Sequence, residues 1–172
     1  MKTLKIILAV LLVCIAAVTA CAEDTMTEYT QGNFVYRVWS DWTTQETEEG
    51  NRLFFLNPDE PRSGYLCVQV RQEEYFAGLD AGAKEETLTT LVESMGGEDG
   101  LDEPEMVYGK YGNIEGMLFT AKFLGEMDAA GFVTYEGEDL CFFLLADNVS
   151  GGEALSGKLQ ELLGTLEIRK AE

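Results

Sequence analysis

Apolar residues at every second position predict short β-strands through most of the chain after residue 32. Phe34, Tyr36 and Val38 show the pattern first, and this period is typical of a half-buried strand. Further strands are predicted at residues 52–57, 64–71, 105–110, 114–124, 131–136 and 139–146. Turn residues and short connections between them favour antiparallel pairing, with the first three strands as a meander. The run Cys141–Leu145 is apolar without alternation, which places strand 139–146 centrally in the sheet.

Two helices are predicted among these strands. Residues 83–95 carry apolar side chains at helical spacing, and Gly96-Gly97 supplies a C-terminal stop. The second helix follows Ser150, which forms a capping box with Glu153, and a short edge strand is predicted at 165–169. We therefore expect one α+β domain over residues 32–170, a twisted antiparallel sheet of about six to seven strands with helices packed on it.

This order of elements resembles the PsbP-like fold, an α/β/α sandwich seen in the photosystem II extrinsic subunit and in bacterial lipoproteins of unassigned function. Four features carry the resemblance: the opening strand that ends near Trp42, the hairpin at Asn57-Pro58, the helix before Gly96-Gly97, and the stretch Leu162-Leu163-Gly164-Thr165-Leu166. The resemblance implies a binding or assembly domain rather than an enzyme, and it transfers no functional residues.

The first twenty residues indicate export and lipid attachment. A basic start with Lys2 and Lys5 precedes the apolar stretch 6–18, which is shorter than a membrane span and typical of a signal peptide. Val18-Thr19-Ala20-Cys21 looks like the lipobox of bacterial lipoproteins. We expect residues 1–20 to be removed, Cys21 to carry palmitate-type acyl chains as a membrane anchor, and residues 21–31 to form a flexible tether. The alternative is an ordinary secretory signal cut nearby.

Charge limits the partners of the predicted domain. The chain has 31 acidic and 12 basic residues, for a net charge of −19. Removal of the signal peptide takes away two lysines and leaves a net charge of −21. Nucleic acid is an improbable partner, because binding there depends on Lys and Arg neutralising phosphates. An anionic membrane surface also repels the domain, so we expect the lipid on Cys21 to hold it at the extracytoplasmic face of the cell membrane.

The sequence contains no G-x-S-x-G, G-x-x-x-x-G-K-[ST] or C-x-x-C motif. It contains no histidine, which excludes a Ser-His-Asp triad and His-ligated zinc. A pair of carboxylates could still serve a glycosidase. Asp99, Asp102 and Glu103 lie in an acidic stretch of the oxygen ligands that Ca²⁺ prefers, but their spacing matches no calcium loop, and a solvated acidic loop is the alternative.

Four aromatic residues and two cysteines complete the candidates. Trp39, Trp42, Tyr108 and Tyr111 could bind a sugar or a partner peptide, or they could pack in the core. Cys67 and Cys141 could form a disulfide or remain free buried thiols.

The expected function is therefore a membrane-anchored, non-catalytic binding or assembly module, with no cofactor and with a protein partner at the cell envelope. The alternative is a His-free, carboxylate-based hydrolase of cell-wall or glycan material.

Overall fold

The computed structural model describes residues 26–169, apart from residues 58, 61, 62, 98, 99, 125 and 149. The strands are β1 Met26–Gln31, β2 Phe34–Trp39, β3 Thr43–Glu46, β4 Arg52–Phe55, β5 Gly64–Gln72, β6 Leu101–Tyr111, β7 Ile114–Phe123, β8 Met127–Glu136, β9 Asp139–Asp147 and β10 Glu167–Ile168. The helices are α1 Glu74–Ala77, α2 Lys84–Ser94 and α3 Gly152–Leu163, and a 3-10 turn covers Ala81–Ala83. Within this part of the chain, no helix combines the length and the apolar character that a membrane crossing requires.

Seven of the strands form one antiparallel sheet in the order β3-β4-β5-β9-β8-β7-β6. Strand β9 is its middle strand, as the apolar run Cys141–Leu145 predicts. Its side chains face apolar clusters on both sides of the sheet, which explains why the run lacks alternation.

The remaining strands form a separate sheet in the order β1-β2-β10. The predicted meander of the first three strands is therefore wrong, because β2 pairs with β1 and β10 and not with β4. The predicted tether 21–31 is also wrong over Met26–Gln31, where backbone pairing with β2 holds a polar sequence as a strand. Residues 1–25, including the predicted signal peptide and the predicted lipidation site Cys21, lie outside the described residues.

The inner face of the seven-stranded sheet packs against β2 and α3. Tyr36, Phe54 and Phe143 are fully buried there, and the rings of Tyr36 and Phe143 meet edge to face at 5.4 Å. Burial of each such side chain contributes about 1.5–3 kcal/mol before the cost of ordering it. Leu155 and Leu159 bring α3 into the same cluster.

The outer face of the same sheet packs against α2. Leu88 and Val92 are fully buried and contact a second apolar cluster that includes Phe119 and Val133. Helices thus lie on both faces of a large antiparallel sheet, which confirms the predicted α+β class.

Two predicted element boundaries change. Helix α3 begins at Gly152 after Gly151, and no side chain caps it, so Ser150 is not its N-cap. The Ser150 hydroxyl instead donates to the carboxylate of Asp147 at 3.0 Å, because Asp147 is buried at the end of β9 and requires a partner. Strand β6 begins at Leu101, before its predicted start at residue 105.

Candidate functional site

An open groove lies on the outer face of the large sheet, beside α2. Its floor comes from neighbouring strands, with Gln69 and Arg71 on β5 and Leu140 and Phe142 on β9. Alternate residues of a strand point to the same face, so each pair shares this surface. Leu140 and Phe142 are half-buried, and the β9 part of the groove floor is therefore an apolar surface accessible from solvent.

Helix α2 forms the wall of the groove. The helix lines it along successive turns with Glu86, Thr87, Thr90, Leu91 and Ser94, so the wall combines hydroxyl groups with one carboxylate and one leucine. The Lys84 ammonium group fixes the start of the helix by donating to the backbone oxygen of Tyr135 at 2.9 Å. Burial lowers the pKa of Lys84 from its ordinary value.

The segment between β5 and α2 closes one end of the groove. Phe76 is buried there and packs on the ring of Tyr135 at 4.8 Å, while Tyr75 is 67% exposed. Leu79 completes this apolar end.

The groove has a volume of about 950 Å³, which lies at the upper end of the range of about 300–1,000 Å³ for small-molecule sites. Arg71 is the only basic residue among its lining residues, and Glu73 and Glu86 are the acidic ones. An apolar floor with polar groups at the rim is the usual make-up of a binding pocket.

The apolar surface continues beyond the groove onto β4. Leu53 pairs with Cys67, and Cys67 pairs with Leu144 on β9, so the three side chains form a row across the outer face. The next row contains Phe55 and Tyr65. Except for buried Leu144, these side chains are half-buried, so β4, β5 and β9 share one partly exposed apolar face.

Cys67 and Cys141 are free thiols on opposite faces of the sheet. Cys67 pairs with Leu144, three positions from Cys141 on β9, and an odd separation reverses the face. Burial raises the pKa of Cys67, with partial compensation from Arg71. Burial raises the pKa of Cys141 well above its ordinary value. A disulfide between the two residues does not fit this geometry.

Trp39 and Trp42 belong to the inner core, at 8% and 7% exposure. Their ring centroids are 4.9 Å apart, and the Lys158 ammonium group lies 5.0 Å from the Trp42 ring. Neither ring is available as an exposed stacking surface.

Tyr108 and Tyr111 lie on opposite faces of β6. Tyr108 pairs with Met117 of the outer cluster, whereas Tyr111 pairs with Ile114 of the inner cluster. The Tyr111 hydroxyl donates to the backbone oxygen of Val107 at 3.2 Å. The four predicted aromatic residues therefore do not form one site.

The calcium candidates are only partly described. Asp99 lies outside the described residues, and Asp102 and Glu103 are exposed on β6 at a β-bulge. Among the described residues, no three His, Cys, Asp or Glu side chains are close enough to hold a metal ion. The predicted acidic loop 98–103 is wrong from Leu101 onward, where the strand begins.

Asp139 and Asp147 are the buried acidic residues of the described chain, and they lie at opposite ends of β9. Eight residue steps along a strand separate their Cα atoms by about 26 Å. The two carboxylates of a glycosidase lie about 5–9.5 Å apart, so this pair cannot act together. Asp139 accepts the backbone N–H of Asn33 at 2.9 Å, and Asp147 accepts from Ser150.

Sequence reasoning missed the groove residues Arg71, Leu140 and Phe142. Leu140 and Phe142 belong to a strand that is apolar on both faces, and this pattern predicts burial on both faces. The half-buried state of these residues depends on where α2 lies, which no local pattern indicates.

Comparisons with known proteins identify the fold. No protein-family model matches the chain, and no curated protein matches it. A crystal structure of a protein from Bacteroides thetaiotaomicron is 18% identical with a TM-score of 0.54, over 83% of this chain and 48% of that one. This chain thus spans about half of that protein. The solution structure of the cyanobacterial PsbP protein CyanoP from Synechocystis is 10% identical with a TM-score of 0.54, over 86% of this chain and 95% of that one. The chain therefore has a PsbP-like α+β fold.

Proposed function

We propose that this protein is a lipid-anchored, extracytoplasmic binding module that holds a ligand in the groove between α2 and strands β5 and β9. The groove carries the proposal, since its volume of about 950 Å³ and its accessible floor of Leu140 and Phe142 suit an amphipathic ligand. The apolar part of the ligand packs on these two residues, and its polar part lies at the rim near Arg71 and the hydroxyls of α2.

A binding role agrees with the chemistry of the described residues. The buried carboxylates Asp139 and Asp147 act as hydrogen-bond acceptors within the fold. The groove itself is lined by apolar side chains, hydroxyls and exposed charges, and this set suits recognition better than bond cleavage.

The anchor is the second part of the proposal. The lipobox-like sequence ending at Cys21 supports it, and the first described strand begins at Met26. A lipid on Cys21 therefore keeps the domain within about 17 Å of the membrane, the extended length of five residues.

Substitution on the wall of α2 tests the groove. Thr90 is exposed and lines the groove, whereas Thr89 on the same helix does not line it. Both hydroxyls donate to the backbone oxygen four residues earlier, so Thr89→Trp controls for the loss of this hydrogen bond. Thr89 is half-buried, so thermal unfolding of both variants must show an intact fold before their binding is compared. We expect Thr90→Trp to weaken binding of the apolar fluorophore anilinonaphthalene sulfonate about tenfold, or ~1.4 kcal/mol, and Thr89→Trp to leave it unchanged.

Native mass spectrometry then addresses the natural ligand. Protein purified from its own membranes should carry an additional bound mass that Thr90→Trp lacks and Thr89→Trp retains. Equal probe binding and equal mass in all three proteins would refute the groove as the site.

The anchor has a separate test. Cells fed an alkyne-labelled palmitate should label the wild-type protein and not Cys21→Ser. A Cys21→Ser protein that is cleaved at the same place and stays in the membrane fraction would contradict a lipid-only anchor.

A further inference from the structure

The two edges of the seven-stranded sheet differ in how they are protected. Strand β3 forms one edge with four residues, all of them polar and exposed. Strand β6 forms the other edge with eleven residues and pairs with β7 alone among the described strands. An edge strand presents free N–H and C=O groups to another strand, and short polar edges discourage such pairing. Strand β6 is neither short nor wholly polar; its protective features are Pro104 and a β-bulge near its beginning and Lys110 near its end.

The beginning of β6 is nevertheless covered. The Leu101 N–H donates to the Met95 oxygen at 3.0 Å, and the Gly97 N–H donates to the Leu101 oxygen at 3.3 Å. A β-bulge between Asp102 and Glu105 follows. From Glu105 to Tyr111 the register with β7 is unbroken, so these seven residues form an edge about 24 Å long that no other described strand covers.

The outward-facing backbone groups of this edge follow from the hairpin. Tyr111 and Ile114 pair across a two-residue turn, and the residues that flank such a turn exchange backbone hydrogen bonds. Because bonded and non-bonded pairs alternate along an antiparallel ladder, the N–H and C=O groups of Met106, Tyr108 and Lys110 point away from β7.

We propose that β6 pairs antiparallel with β6 of a second copy of this chain, about a two-fold axis at Tyr108. In this register Tyr108 lies opposite Tyr108 of the second copy, and Met106 lies opposite Lys110. All three outward-facing residues then exchange hydrogen bonds with their opposite residues. The two large sheets become one continuous sheet.

The side chains on the inner face of β6 suit this register. Val107 is 61% exposed and lies opposite Gly109 of the second copy, which has no side chain. The Tyr111 ring covers Gly109, at 3.6 Å from the position that a Cβ atom would take there. Val107 therefore packs on the Tyr111 ring of the second copy and buries an exposed apolar surface.

The charges and the symmetry also permit the pairing. Glu105 lies opposite Tyr111, and Lys110 lies opposite Met106, so no like charges are directly opposed. A two-fold axis perpendicular to the sheet keeps both inner faces, and with them both β1 strands, on the same side of the dimer. Both N-termini can then approach one membrane. The dimer is independent of the groove, which lies on the outer face of each copy.

Cysteine cross-linking of the full chain tests the register. Residues directly opposite each other in a bonded pair have Cα atoms about 5.5 Å apart, which a disulfide spans. Tyr108→Cys should therefore give a dimer on a non-reducing gel after mild oxidation. Lys110→Cys is the matched control, because the two copies of residue 110 are about 14 Å apart in this register. The wild type reports any background from the four native cysteines.

Sedimentation equilibrium tests the assembly itself. We expect the wild type to dimerise and to dimerise more tightly as salt is added, because salt screens the repulsion between two acidic chains. Met106→Pro removes an outward N–H group and should yield a monomer. Met106→Ala loses the same half-buried side-chain packing against the outer cluster but keeps the N–H group, so it should still dimerise. A wild type that remains monomeric, a dimer that Met106→Pro leaves intact, or equal cross-linking of the two cysteine variants would each overturn the proposal. A Tyr108→Cys adduct with a different protein in membranes would also overturn it.

Discussion

The buried thiol of Cys141 should make the protein lose stability at alkaline pH. Cys141 is fully buried, and burial, with a smaller effect of the Asp139 carboxylate, raises its pKa well above 9.0. Above pH 9 the unfolded chain releases the thiol proton and the folded chain keeps it, so the free energy of unfolding falls as pH rises. For a single group with an unfolded pKa of 9.0, the loss reaches about 1.4 kcal/mol at pH 10.

Cys141→Ala removes this pH dependence. At pH 7.5 the variant should be less stable by about 1 kcal/mol, because the sulfur leaves a small cavity in the core. Between pH 7.5 and pH 10 the wild type should lose about 1.4 kcal/mol more than the variant, as measured by urea unfolding with a reductant present. Burial raises the pKa of several tyrosines in both proteins, so their contributions largely cancel; Cys141 adds only a smaller effect to the raised pKa of Tyr36.

Cys67→Ala is the control for this experiment. Cys67 is half-buried, and Arg71 offsets part of the effect of burial on its pKa. Cys67→Ala should therefore reduce the loss of stability at alkaline pH less than Cys141→Ala does. If the wild type and Cys141→Ala lost the same stability between pH 7.5 and pH 10, the Cys141 thiol would have the same pKa in the folded and the unfolded chain. The argument that burial raises this pKa would then fail.

Two further predictions concern packing and hydrogen bonding. Gly131→Ala should destabilise the fold by about 1–3 kcal/mol, because its Cβ would collide with the Phe119 ring on β7. Gly157→Ala, on an open part of α3, should instead stabilise the fold by about 0.5–1 kcal/mol. Thermal unfolding of both variants would separate steric overlap from a general effect of replacing glycine. Asp147→Ala should lower the free energy of unfolding by about 1–3 kcal/mol, because it leaves the N–H and hydroxyl groups of Ser150 without their acceptor. Ser150→Ala should keep the helicity of α3, because Ser150 does not cap that helix. A loss of helicity by circular dichroism in this variant would contradict the structure.

The sequence predicted the strands whose apolar pattern results from burial. Strands β5, β7 and β9 and helix α2 lie within a few residues of their predicted positions. The two-sheet arrangement was not predictable, because β2 pairs with β10 across about 130 residues of chain, and periodicity does not identify a strand's partner. Strand β1 was missed because its sequence is largely polar, and its position depends on backbone pairing with β2.

The location of the open surface follows from the size of α2. Eleven residues make a helix about 16 Å long and about 10 Å wide, whereas seven strands span about 29 Å between the outermost strands. One such helix covers only two or three strands, and α2 packs over β6, β7 and β8. The outer faces of β5 and β9 therefore remain accessible unless the connection between β5 and α2 covers them. That connection contains α1, which has four residues and is followed by Gly78, so it closes one end of the groove and leaves its length open. The groove thus results from the length of these two helices, and in the proposed binding role Leu140, Phe142 and Arg71 set the ligand chemistry.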